Sequence, residues 1–150
     1  MNKKLYKVEE INSSKLPLPI RELLTYATSD SKIEAEYELY KRLENRKLYG
    51  YKQNDKFIGC IGIEITAENS CVIKQIAVSP FERRGGIGKR MIDFIMEKHA
   101  LSMISAETDQ DAINFYKRVG FTITSLGEKY PGVERFWCVY LKNRGLYDGL

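Results

Sequence analysis

The residues best placed to do chemistry run from Ile76 through Ala77, Val78, Ser79, Pro80, Phe81, Glu82, Arg83, Arg84, Gly85, Gly86, Ile87, Gly88 and Lys89 to Arg90. An apolar, strand-like run stops before a proline. A turn rich in glycine and arginine follows, and then a helical pattern begins. Glycine lets the backbone take positive φ and lets a ligand come close. A helix start offers unpaired amides at the positive end of the dipole. Arg83, Arg84, Lys89 and Arg90 surround the same turn. Together these residues describe a nest for a phosphate group. The plain alternative is a glycine turn carrying solvated arginines.

Two common phosphate loops do not fit. In a Walker A register, Arg83 stands where the first Gly belongs, and Arg90 follows Gly88-Lys89 where Ser or Thr is needed. In a dinucleotide register, Gly86-x-Gly88 is followed by Met91 in the third glycine position, and no suitably placed acidic residue follows a parallel βαβ unit.

Other chemistries have little to stand on. Cys60, Cys71 and Cys138 are far apart, odd in number and set in strand-like apolar runs. They read as small buried hydrophobes rather than a disulfide framework or a zinc cluster. His99, the one histidine, reads as a surface cation near a helix C-terminus. No metal site is expected. A net charge of +4 suits an anionic small molecule as well as a nucleic acid, and no dense basic tract with interleaved aromatics favours a polymer. The 150 residues are 43% hydrophobic and fit one domain spanning 1–150. The longest apolar stretch, Phe57 to Ile63, falls short of the ~20 residues that span a bilayer. The basic start lacks an apolar signal core. A soluble, cytoplasmic protein without membrane contact is therefore expected.

The elements that must hold this turn follow from periodicity and punctuation. Lys4 to Glu9 reads as a strand, and Pro17 to Leu24 as a helix with proline in its first turn. Ser31 and Glu34 have capping-box spacing before a second helix, marked by Ile33, Tyr37 and Tyr40 and ending near Leu43. Lys47 to Lys52, Phe57 to Thr66 and Cys71 to Val78 read as strands joined by short polar turns, hence as antiparallel hairpins. Ile87 to Ala100 is an amphipathic helix. A strand over Leu101 to Ala106 follows, then a helix over Asp109 to Val119, with Asp109 as N-cap and Gly120 as its stop. Phe121 to Leu126 and Glu134 to Leu141 are the last strands. The expected order is β-α-α-β-β-β-α-β-α-β-β.

Arg83-x-x-Gly86-x-Gly88 resembles the Arg/Gln-x-x-Gly-x-Gly/Ala signature of the GNAT acetyltransferase superfamily, which binds the pyrophosphate of acetyl-CoA. Ala112-x-x-Phe115-Tyr116-x-x-x-Gly120-Phe121 resembles that family's helix-to-strand junction. The likeness runs from about Leu5 to Leu141. It implies an α/β (α+β) fold: a mixed, mostly antiparallel sheet flanked by helices, with two central strands splayed into a slot for acetyl-CoA. By the same resemblance, the backbones of Ile76, Ala77 and Val78 bond the pantetheine arm. The amides of Arg84, Gly85, Gly86, Ile87 and Gly88 hold the pyrophosphate, while Arg83, Arg84 and Lys89 contribute charge. Asp109 stands where the family often has Asn beside the cofactor. Homodimers are common in the family and are a further expectation.

The activity implied is transfer of acetyl from acetyl-CoA to a primary amine of a small molecule or peptide, directly within a ternary complex. The amine must lose a proton, the thioester oxygen needs an N–H donor, and the departing thiolate needs a proton. The resemblance places the donor at Val78 or its neighbour and a general acid at Tyr116; plain core packing is the other reading of Tyr116. Some family members carry a Glu on the fourth strand where Val72 stands here. Glu64 and Glu107 are the remaining carboxylates for the base, with Glu134 more distant. Tyr26, Tyr37, Tyr40 and Tyr130, with Glu34, Glu36 and Glu38, form an acidic, aromatic wall for a cationic acceptor, or else a solvated helix face with core tyrosines. Two rival readings are an acyl-CoA-binding regulator without turnover and a small nucleic-acid-binding module.

Overall fold

Three long strands meet at turns whose residues suit them. Asn54 and Asp55 take positive φ between the first pair, and Asn69 does so between the second; Asn and Asp tolerate that region better than most residues. These turns join β2 (Arg46–Gln53), β3 (Lys56–Ala67) and β4 (Ser70–Val78) into an antiparallel meander. β1 (Tyr6–Glu10) pairs on the outer edge of β2. The computed structural model describes residues 5–142, so the Lys4 start expected for this strand lies outside the described residues.

A crossover through α3 (Ile87–Lys98) returns the chain to β5 (Met103–Asp109), which lies parallel to β4. α4 (Ile113–Val119) then leads into the hairpin of β6 (Thr122–Tyr130) and β7 (Val133–Leu141), with β7 inserted beside β5. The seven-stranded sheet has the order β1-β2-β3-β4-β5-β7-β6. The mixed, mostly antiparallel architecture expected from the sequence is what forms.

Helices cover both faces because the strands carry apolar residues on both. α1 (Leu18–Leu24) and α2 (Ile33–Arg42) bury Ile20, Leu23, Leu24, Ile33, Tyr37 and Tyr40 against Leu48, Cys60 and Ala77. α3 and α4 bury Ile87, Met91, Ile92, Ile95 and Tyr116 against Ile61, Ile63, Ile73 and Ile104 on the other face. Successive strand residues point to opposite faces, so Ala77 serves one core while Ile76 and Val78 serve the other. Cys60, Cys71 and Cys138 are buried and unpaired. Burial pushes the Cys60 and Cys71 thiols up to about 12.

Several local expectations are corrected. The Ser31–Glu34 capping box does not form: the N-cap is Lys32, with no side-chain cap, and Ser31 lies in a 3₁₀ turn over Asp30–Lys32. Arg21 takes Glu34 instead, its Nε donating to Oε1 at 2.7 Å. β5 starts and ends later than expected, so Asp109 closes that strand rather than capping the helix. Its Oδ1 accepts the Asp111 and Ala112 amides at 3.0 and 3.3 Å and so shapes the turn before α4. His99 is not a surface cation. It is half-buried, its Nε2 meets the Tyr49 hydroxyl at 2.9 Å, and burial, then Lys98 and Lys47, push it below the ordinary histidine range.

Ile61 is fully buried at the centre of the sheet. Ile61→Ala is expected to lower stability by about 2–5 kcal/mol through lost transfer energy and a residual cavity. Urea denaturation measures it, and a loss under about 1 kcal/mol would mean the core closes over the site.

Candidate active site

β4 and β5 pair at only three register positions: Ser70 with Met103, Cys71 with Ile104, and Val72 with Ser105. Beyond them, among the described residues, β4 continues to Val78 bonded only to β3, and β5 continues to Asp109 bonded only to β7. The two central strands therefore leave a gap bordered by unpaired edges. Unpaired backbone groups are costly unless water or a ligand meets them. The splayed slot expected from the sequence lies here.

At the end of β4 the chain makes a 3₁₀ turn over Pro80–Glu82 and bends into α3. Arg84 and Gly86 have φ of 70° and 79°, with extended Arg83 just before them. Alternation of this kind turns successive N–H groups to one side. The amides of Arg84, Gly86, Ile87, Gly88 and Lys89 have no protein acceptor among the described residues. The first intrahelical bond runs from the Arg90 amide to the Gly86 carbonyl at 3.0 Å. A Cβ built on Gly86 would meet nothing within 4 Å. The turn is thus open on its amide side and can seat an anion. Gly88 differs: a Cβ there would lie 2.5 Å from the Phe115 ring, so this glycine exists to let α4 pack on the first turn of α3.

The basic side chains do not all face a ligand. Arg83 donates through Nε to the Val78 carbonyl at 3.0 Å and lies 5.3 Å over the Tyr26 ring. Lys89 is bonded to Asp93 at 2.7 Å. Arg84 is exposed and makes no hydrogen bond or ion pair among the described residues.

Tyr116 follows Phe115 on α4 and is only 5% exposed. Its ring packs edge-on against Phe115 and Phe121, each at 5.0 Å. Its hydroxyl has no hydrogen-bond partner among the described residues, yet it is not sealed from the surface. Burial, with a small contribution from Cys138, pushes it above the ordinary tyrosine range. A hydroxyl so placed keeps its proton at neutral pH.

On the α1/α2 face, one register row crosses the sheet: Arg46, Glu64, Val72 and Ser105. Glu64 is thus the cross-strand neighbour of Val72, the last β4 residue paired with β5. Its carboxylate has one loose ion pair, with Lys74 at 3.8 Å. Glu107 lies two residues beyond Ser105 on the same face. It accepts from Lys129 and Arg135, both at 3.0 Å, and these two donors hold its carboxyl below the usual range. Glu134 accepts from the Ser125 hydroxyl.

The acidic wall is internally matched: Glu34 on Arg21, Glu38 on Lys41, Glu36 on Arg46. Tyr37 and Tyr40 are core residues, whereas Tyr26 and Tyr130 are exposed. Sequence reasoning missed Gln75, which is buried on β4 and bonded to Glu36. Lys74 and Gln75 interrupt the apolar run of β4, but nothing along the strand marks which of the two is buried.

The model of the Acetyltransferase (GNAT) family matches residues 14–121. The chain therefore belongs to that family. An uncharacterized N-acetyltransferase in the lysA 3′ region of Bacillus methanolicus is 34% identical over 61 residues, 41% of this chain and 51% of that protein. The match thus spans about half of the relative's length. Among solved structures, a GNAT family acetyltransferase from Elizabethkingia anophelis with acetyl-CoA bound superposes with a TM-score of 0.69 at 19% identity, over 91% of this chain and 97% of the other. A Bacillus subtilis acetyltransferase in complex with CoA gives 0.68 at 18% identity, over 91% and 99%. These likenesses are of fold. Among the described residues no helix is long and apolar enough to cross a membrane, and no group of His, Cys, Asp and Glu gathers to hold a metal.

The Glu107 cluster makes the stability depend on pH. Its folded pKa is lowered, so the stability it contributes is present above the ordinary glutamate value of 4.5 and is lost as pH falls through the lower folded value. Glu107→Gln is therefore less stable than the wild type at neutral pH, and the gap closes in acid. Urea unfolding across the acid range measures this; a gap independent of pH would remove the ion cluster as its cause.

Proposed function

We propose that the chain works as a single N-acetyltransferase domain that moves acetyl from acetyl-CoA to a primary amine of a small molecule or peptide within a ternary complex. The observation that carries this reading is the turn from Arg84 to Lys89, whose amides lack protein acceptors beside a gap between two unpaired strand edges. Acetyl-CoA would supply the activated acetyl group as a thioester. The open amides of Arg84, Gly86, Ile87 and Gly88 suit its pyrophosphate, with Gly85 supplying flexibility and Arg84 a solvent-exposed charge. The free edge of Ile76, Ala77 and Val78 suits an amide-bearing arm, although the Val78 carbonyl is already taken by Arg83. Arg83 then acts by bracing the turn, and Lys89 contributes charge tempered by Asp93.

In this reading Tyr116 donates the proton that the thiolate needs, and the amide of Val78 or its neighbour meets the thioester oxygen. Glu64 takes the proton from the amine, directly or through water. Its place opposite Val72 puts a carboxylate one strand from the position where relatives carry theirs, about 5 Å between Cβ atoms. Glu107 is the weaker base, because two cations hold it ionised with little proton affinity. The same ion cluster favours an acyl-CoA-binding regulator as the second reading. Release of thiol from acetyl-CoA across a panel of polyamines, aminoglycosides, amino acids and peptide N-termini separates the two: binding without release for any amine selects the regulator. Cytoplasmic location and homodimer formation accompany the family resemblance.

Tyr116→Phe is expected to reduce turnover by about 10²-fold or more while acetyl-CoA affinity changes little. Steady-state kinetics with calorimetry distinguish the roles, since equal losses in both would assign Tyr116 to packing. Gly86→Val places a branched side chain in the open seat and forces it to positive φ, a strain of about 1–2 kcal/mol. The expected result is a folded protein with acetyl-CoA binding lost by calorimetry. Normal binding would displace the phosphate from this turn.

A further inference from the structure

The bulkiest apolar side chain of the protein is packed into neither core. Trp137, the sole tryptophan, is partly exposed on β7. Strand alternation sets its side. Cys138 and Tyr140 pack on the α3/α4 core, so Trp137 and Val139 project to the other face of the sheet. The register agrees: Trp137 stands opposite Glu107, and Val139 opposite Ser105, the residue paired with Val72. On that face α1 and α2 lie over β2, β3 and β4, whereas α4 covers β6 and β7 from the α3/α4 side. Trp137 thus sits on a stretch of sheet that these helices leave open.

The open stretch borders the slot. Glu107 lies beyond Ser105, where β5 has parted from β4. Directly opposed residues have their Cβ atoms about 4.5–5.5 Å apart, so the indole is rooted one strand from the slot's edge. An amine entering between β4 and β5 from this face passes beside it.

The charges next to Trp137 are unevenly matched. Glu107 gives one oxygen to Lys129 and the other to Arg135, each at 3.0 Å, so two cations share one carboxylate. Arg135 lies two residues before Trp137 and spends only its Nε on Glu107. Its two Nη groups make no hydrogen bond among the described residues. Such a pair of donors suits a carboxylate held by two parallel bonds. A polyamine would find neither an apolar need for Trp137 nor an anion for Arg135.

We propose that the acceptor is a primary amine with an apolar body and a carboxylate, Trp137 seating the body and Arg135 the carboxylate. The inference deepens the acetyl-CoA reading above and rests on it.

Trp137 is its own reporter, since all tryptophan emission comes from this face. Phenylalanine and phenethylamine differ only in the carboxylate. With CoA bound, phenylalanine is expected to shift the emission saturably, at a concentration about tenfold or more below phenethylamine, the scale of a hydrogen bond to a charged group. Thiol release from acetyl-CoA follows the same order in kcat/KM. The dipeptide phenylalanyl-alanine, with its carboxylate further from the amine, tells a peptide from a free amino acid, and a preference for either over phenethylamine supports the proposal. Arg135→Gln abolishes the preference. If that variant does not fold, Arg135→Lys, which keeps a cation beside Glu107 without the paired donors, is judged by the same ratio. An equal response to the carboxylate-bearing amines and phenethylamine, or an unchanged preference in the folded variant, overturns the proposal. So does emission that shifts with protein concentration alone, in step with dimerisation by sedimentation, which would give this face to a second copy. Calorimetry with acetyl-CoA separates the failures: without binding the acetyl-CoA reading falls and this inference with it, whereas binding without discrimination among the amines removes this inference alone.

Discussion

Backbone groups inside a sheet must find partners, and here two central strands stop providing them to each other. After Val72 and Ser105, β4 keeps β3 and β5 keeps β7, but neither keeps the other. Almost every other feature answers to this separation. The long meander on one side and the β6–β7 hairpin on the other hold each strand from its far edge. The helices pack on the flanks, and α3 begins where β4 leaves the gap.

Alternation along the strands gives the gap two different mouths. On the α3/α4 side β4 presents Ile76 and Val78 ahead of the open turn, packed on the core that also holds Tyr116. On the α1/α2 side the sheet carries charged and polar groups, Arg46, Glu64, Gln75 and Glu107, each with partners of its own. One side is apolar with open amides at its end, and the other is polar and charged.

Much of this was legible because the signals are local. Pro80, the glycines and Ile87 mark the strand–turn–helix junction, and the structure keeps those boundaries. Gly120 ends α4 with φ of 116°, as a helix stop should. The misreadings came from tertiary competition. Glu34 has the spacing to cap α2, but Arg21 from another helix offers a better partner. His99 sits where a helix-end cation belongs, yet Tyr49 from β2 covers it. The burial of Gln75 goes with its bond from the Tyr40 hydroxyl, far away in sequence, and no pattern along β4 could announce it.

The seating of the Phe115 ring on Gly88 has one more consequence. Gly88 belongs to the first turn of α3, and Phe115 is the immediate neighbour of Tyr116. Steric contact at that point sets how closely the open turn approaches the helix that carries Tyr116. Such a hard wall has little give and is indifferent to ionic strength, unlike the charged groups around it. A bulkier residue there would collide with the Phe115 ring, so that close approach rests on a missing methyl.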